Sequence, residues 1–131
     1  MQEAAETGPE LLILEPAACG LHLTLYWRAS ALMDVAYTVF THLLGPDGQI
    51  QAQQDDQPQG GAFPTADWFP GDVIADEYTL AFPPDAPPGE YALEVGLYRP
   101  ETAERLAAYD ADGKQWLDNA IRLDLSLQVV P

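Results

Sequence analysis

Apolar and polar residues alternate with a period of two in one run after another along this chain, and that period is the geometry of a β-strand. In LHLTLYWR, Leu21, Leu23, Leu25 and Trp27 share one face, while His22, Thr24, Tyr26 and Arg28 share the other. VIADEYTLAF puts Ile74, Tyr78, Leu80 and Phe82 on one side, and YALEVGLY does the same with Tyr91, Leu93, Val95 and Leu97. IRLDLSLQVV points Ile121, Leu123, Leu125, Leu127 and Val129 inward and Arg122, Asp124, Ser126 and Gln128 outward. The run from Val35 to Leu44 is apolar on both faces, as a central strand covered on both sides would be. LLILE reads as a first strand, and QIQAQ as the hairpin partner returning from the turn GPDG at 45–48.

Helix has little room. The two candidate windows, residues 29–36 and 100–108, are short; the first reads as a turn, the second as one helical turn or a short hairpin strand closing at DADG. Most of the twelve prolines and ten glycines fall between the alternating runs, where turns belong. Short strands punctuated in this way predict an all-β, immunoglobulin-like two-sheet antiparallel β-sandwich of about seven to nine strands. Tyr91 follows a Pro-Gly turn at the start of its strand. It reads either as a tyrosine corner, its phenol bonded to upstream backbone, or as an ordinary core tyrosine. On both readings Tyr91, Leu93, Val95 and Leu125 are structural.

At 131 residues the chain has the length of one domain, taken here as residues 10–131 behind a leader at 1–9. The start of the chain, MQEAAETGPE, has neither the basic nor the apolar region of a signal peptide. Apolar runs fall short of the ~18 residues of a membrane helix, so this segment is not expected to insert directly into a membrane. Five basic residues face twenty-one acidic ones, for a net charge of −16, and no Lys or Arg occurs between Arg28 and Arg99. Such a surface repels nucleic-acid phosphates and anionic lipid headgroups. Cys19 is the single cysteine, which excludes an internal disulfide, a cysteine zinc cluster and a C-x-x-C pair.

The segment QDDQPQGGAFPTADWFPGD, residues 54–72, is too long for a plain connection in a compact domain. It carries Phe63, Trp68 and Phe69 among Asp55, Asp56, Asp67 and Asp72. Flat aromatics beside carboxylates and amides suit a sugar, whose apolar face stacks on a ring while its hydroxyls meet polar groups. The same residues also suit a loop that folds back to cover one end of the sandwich. The two readings make opposite demands on Trp68, and the expectation is that it is buried.

DADG at 110–113 looks like part of a calcium loop, but in that register the first and twelfth ligand positions fall on Ala108 and Asn119. A hairpin turn is expected there, and no metal site or cofactor. The adjacent pairs Asp55-Asp56 and Asp76-Glu77 would point to opposite faces of a strand. His22 and His42 have no sequence-adjacent partners that suggest a triad, so the chain is not expected to be an enzyme.

The runs LTLYWRA (23–29), YTVFTHLLGPDGQIQAQQDDQPQGG (37–61), PTADWFPGDVIADEYTL (64–80) and PPGEYALEVGLYRPETAERL (87–106) together resemble a recurring bacterial domain. It is the extracytoplasmic C-terminal β-sandwich of polytopic membrane proteins similar to the protein-mannosyltransferase, or dolichyl-phosphate-sugar, glycosyltransferase family. The resemblance implies an accessory domain outside a bacterial membrane, with the rest of a membrane protein as its partner. It carries over no catalytic residue. What it leaves open is a spacer or protein-interaction module, or a module binding glycan or acceptor protein through the loop at 54–72.

Overall fold

The computed structural model describes the backbone of residues 9–17 and 20–129 and the side chains of residues 21–123. Among the described residues there are seven strands: β1 (Pro9–Ala17), β2 (Gly20–Arg28), β3 (Thr38–Leu44), β4 (Ile50–Asp56), β5 (Val73–Ala81), β6 (Gly89–Tyr98) and β7 (Ile121–Val129). They form two sheets, with strand orders β1-β2-β5 and β4-β3-β6-β7, and every pairing is antiparallel. This is the expected immunoglobulin-like sandwich, with one departure from the constant-type arrangement. There the fourth strand pairs in the sheet of the first two, whereas here β4 pairs with β3 in the other sheet.

The period-two reading places the core correctly. Leu21, Leu23, Leu25 and Trp27 of β2 pack against Leu93, Val95 and Leu97 of β6, Val39 and Leu43 of β3, and Ile74, Tyr78 and Leu80 of β5. β3 is central between β4 and β6, and Phe40 and Leu44 are buried on its outer face as well. The cover over Phe40 comes from Arg105, whose guanidinium lies 4.3 Å from the ring centre. Gly96, paired with Phe40, is a glycine because a Cβ there would collide with that ring. Cys19 and residues 1–8 lie outside the described residues, as does the side chain of Leu125, whose backbone belongs to β7.

Neither short helical window forms a helix. Residues 29–37 are an irregular crossing from one sheet to the other. The 99–108 segment folds back along β6, where Arg99 N–H donates to the Glu104 carbonyl and Leu106 N–H to the Leu97 carbonyl, each at 2.8 Å. A small hairpin follows, bridged between Tyr109 and Gln115. At its tip Asp110 Oδ1 accepts from the Asp112 and Lys114 amides, both at 2.9 Å, which is a turn in the sense expected for DADG.

Tyr91 is a tyrosine corner. Its hydroxyl donates to the Pro87 carbonyl at 2.6 Å, and Phe82 packs edge-on against its ring at 5.6 Å. Tyr91→Phe is expected to lower stability by about 1–3 kcal/mol, because the Pro87 carbonyl loses its donor in a partly buried place. Urea unfolding of the two proteins measures this, and an unchanged midpoint would make the hydroxyl dispensable. Gly96→Ala is expected to cost about 1–3 kcal/mol in the same assay through the forced displacement of Phe40.

Candidate functional site

The loop between β4 and β5 is built as a plug for one end of the sandwich. Pro58–Gly61 and Thr65–Asp67 are short 3-10 turns, and the chain between and after them turns inward. Trp68 is 0% exposed; its indole N–H donates to the Phe63 carbonyl at 2.9 Å, and the half-buried Phe63 ring meets it edge-on at 6.4 Å. Thr65 is equally buried. Its hydroxyl donates to the Val35 carbonyl at 2.6 Å and accepts from the Tyr37 amide at 2.9 Å, which ties this loop to the crossing at 29–37.

Asp76 anchors the other side of the plug. Alternation along β5 faces it inward between Ile74 and Tyr78, and it is 1% exposed. Oδ2 accepts from Trp27 Nε1 at 3.2 Å and from the Tyr78 hydroxyl at 2.6 Å, while Oδ1 accepts from the Gln59 amide at 2.7 Å. Gln59 holds a left-handed backbone conformation, φ 56°, which a side-chain-bearing residue adopts only when its surroundings hold it there. Its side chain reinforces the hold by donating to the Ala75 carbonyl at 2.8 Å. Burial pushes the Asp76 carboxyl above its ordinary value, outweighing the three donors that favour the anion; nearby Asp56 adds to the upward shift. The Tyr78 hydroxyl is driven far above its usual range by burial, then by the neighbouring Asp76.

The six residues picked out from the sequence do not converge. Trp68 and Phe63 face into the fold, and Phe69 is 66% exposed. Asp67 is exposed in its turn. Asp56 Oδ1 accepts from the neighbouring Gln57 amide at 2.8 Å. Asp55 faces the outside of the larger sheet, where it accepts from the Tyr98 hydroxyl at 3.0 Å and lies 4.0 Å from His42 Nε2. Trp68 therefore offers no ring face to a sugar, and within the segment the exposed aromatic is Phe69.

His42, on that outer sheet face, is held below its ordinary pKa by burial. Asp55 and Glu94 oppose this effect and Arg105 adds to it. The site can carry a neutral imidazole hydrogen-bonding partner, but no nucleophile is placed beside it by the hydrogen bonds of the described residues. Among those residues no group of three or more His, Cys, Asp or Glu side chains converges on a metal position. Asp76 is the residue whose role sequence reasoning missed, having weighed it only as half of the Asp76-Glu77 pair. The signal was there, since it occupies the apolar parity of β5 and so had to be buried with partners.

The chain matches no protein-family model and no curated protein sequence.

Trp68→Ala is expected to cost about 3–5 kcal/mol, as for other core aromatics, measured by denaturant unfolding. Asp76→Ala is expected to cost about 3 kcal/mol or more, since it strands a buried indole, a phenol and an amide. The raised Asp76 pKa also gives a sign for pH. Above the ordinary 3.8 the unfolded carboxyl loses its proton before the folded one does, so this group's contribution to stability falls as pH rises and levels off once both are ionised. Stability of the native protein relative to Asp76→Asn should therefore be greatest in acid and decline toward neutrality. A relative stability that climbs with pH would mean that the fold stabilises the anion.

Proposed function

We propose that this chain is a non-catalytic accessory β-sandwich of a larger cell-envelope membrane protein, similar to the extracytoplasmic domains of protein-mannosyltransferase-like glycosyltransferases. Its role there is that of a spacer or protein-interaction module on the outer side of a bacterial membrane. One observation carries the choice between spacer and sugar binder: Trp68 is buried, hydrogen-bonded and used to close the end of the sandwich. Loop residues spent on closure make the domain a stiff body able to hold a fixed distance and orientation. The order of the four resembling runs supports the family context, and the surplus of acid suits a partner other than phosphate or anionic lipid.

A specific feature keeps glycan binding as the second reading. Phe69 is exposed, and its own backbone amide is held by Asp72 Oδ2 at 2.9 Å, so a ring and a carboxylate belong to one turn.

Two measurements test these readings. An antibody against this domain should detect the full-length product in the membrane fraction of the source cells, accessible to protease added outside spheroplasts. A soluble cytosolic product would sink the accessory-domain reading. Titration of the labelled domain with mannose and N-acetylglucosamine oligosaccharides should leave amide resonances at 54–72 unmoved. Saturable shifts confined to 63–72 and lost in Phe69→Ala would instead establish the glycan reading.

A further inference from the structure

Single exposed apolar side chains are ordinary on a protein surface, so their placement decides whether they mean anything. Leu32, Phe69 and Val73 are 66%, 66% and 53% exposed; Leu32 and Phe69 belong to two loops joined by backbone at one pole of the sandwich, and Val73 opens β5 at the same pole. Ala29 N–H donates to the Asp72 carbonyl at 3.0 Å, and Gly71 N–H donates to the Ala29 carbonyl at 2.8 Å. Farther along, Thr65 holds the Val35 carbonyl and the Tyr37 amide. Leu32 thus lies between two ties, and Phe69 and Val73 flank the first of them. Val73 is itself paired with Arg28 at the end of β2.

The anchors stand on fixed backbone. Phe69 and Asp72 close a reciprocal turn, with Phe69 N–H donating to Asp72 Oδ2 and Asp72 N–H to the Phe69 carbonyl, both at 2.9 Å. Gly71 supplies the left-handed φ of 93° that this turn needs. Apolar groups already held in place lose little freedom on contact, which is what makes an exposed patch worth binding.

Charge selects the occupant. Asp34, Asp67 and Asp72 are the charged residues of loops 29–37 and 57–72, and neither loop contains a cation. Of the cations bordering them, Arg99 lies over the Tyr37 ring at 5.7 Å, and Arg28 closes β2. A second copy of the chain would bring a further net charge of −16 to the contact, and an anionic lipid surface is repelled in the same way. A basic polypeptide is attracted by the whole molecule and finds apolar anchors at this pole.

We propose that the pole bearing Leu32, Phe69 and Val73 is a docking surface for a basic polypeptide segment. The segment's apolar side chains seat on these three residues, and its Lys or Arg side chains face Asp34, Asp67 and Asp72. This rests on the interaction-module part of the reading above and narrows the chemistry of the partner.

The probe is a short end-capped peptide alternating lysine with phenylalanine and leucine. Its controls are a peptide of equal charge with serine and glycine in place of the apolar residues, and an acidic counterpart with the apolar residues kept. Titrated into the labelled domain, the basic apolar peptide is expected to shift amides of 29–37 and 67–73. The triple variant Leu32→Ser, Phe69→Ser, Val73→Thr should weaken binding about tenfold or more while unfolding at an unchanged temperature. Phe69→Ser alone, at a residue 66% exposed, serves if the triple variant does not fold. The serine-glycine peptide should bind more weakly, and the acidic one not at all.

Shifts spread over carboxylates around the molecule and indifferent to the substitutions would overturn the proposal, as would no shift at this pole. Self-association in sedimentation, or flotation with phosphatidylglycerol vesicles, abolished by the same substitutions, would assign the pole to another occupant. Peptide docking with a cytosolic full-length product would remove the envelope reading and leave the docking surface standing. An extracytoplasmic product without docking would do the reverse.

Discussion

The Asp76 carboxyl lies in the apolar layer between Ile74 and Tyr78 and accepts hydrogen bonds from a core indole, a core phenol and a loop amide. An acid so placed is costly to bury, and the cost is offset only because all three donors are themselves fixed. Trp27 is fixed by β2, Tyr78 by β5 and Gln59 by the turn that follows β4. The carboxyl therefore couples one sheet and the loop that leaves the other sheet. Removing it would loosen the closure at that end together with the core beneath.

The same neighbourhood resolves a problem created by the topology. With β4 in the opposite sheet, β5 is left as an edge, and its outward amides and carbonyls invite pairing with another chain. Two glutamines occupy part of that edge. Gln54 Oε1 accepts from the Thr79 amide at 3.0 Å, and Gln59 Nε2 donates to the Ala75 carbonyl at 2.8 Å. Side chains from β4 and its loop thus take hydrogen bonds that a neighbouring strand would otherwise make. Glutamine suits the task because one amide group carries both a donor and an acceptor at the reach of two methylenes.

Closure at one end explains why the aromatics of the 54–72 segment are divided. The indole of Trp68 fills the space between sheets that a compact sandwich cannot leave empty, and Phe63 packs against it. Phe69 falls just past that plug, where the reciprocal turn with Asp72 reverses the chain into β5, and so its ring projects outward. Adjacent residues in one aromatic pair have opposite fates because successive side chains of an extended backbone point in opposite directions.

Alternation along β2, β5 and β6, with turn residues between the runs, was enough to determine an antiparallel sandwich, the inward faces and the structural place of Tyr91. Those are local properties, because the parity of a strand is written in adjacent residues. The sequence by itself also determined the charge and hence the classes of partner it repels. The turn at 45–48 already paired β4 with β3, and Trp68 was already expected to be buried. Tertiary structure alone decided that Phe69 is the exposed ring and that Asp55 and Asp56 part company with the aromatics. It also decided that Asp76 finds its donors in residues 17 and 49 positions away. Pairings over such separations depend on which chain segments the two sheets bring together, and no local pattern encodes that.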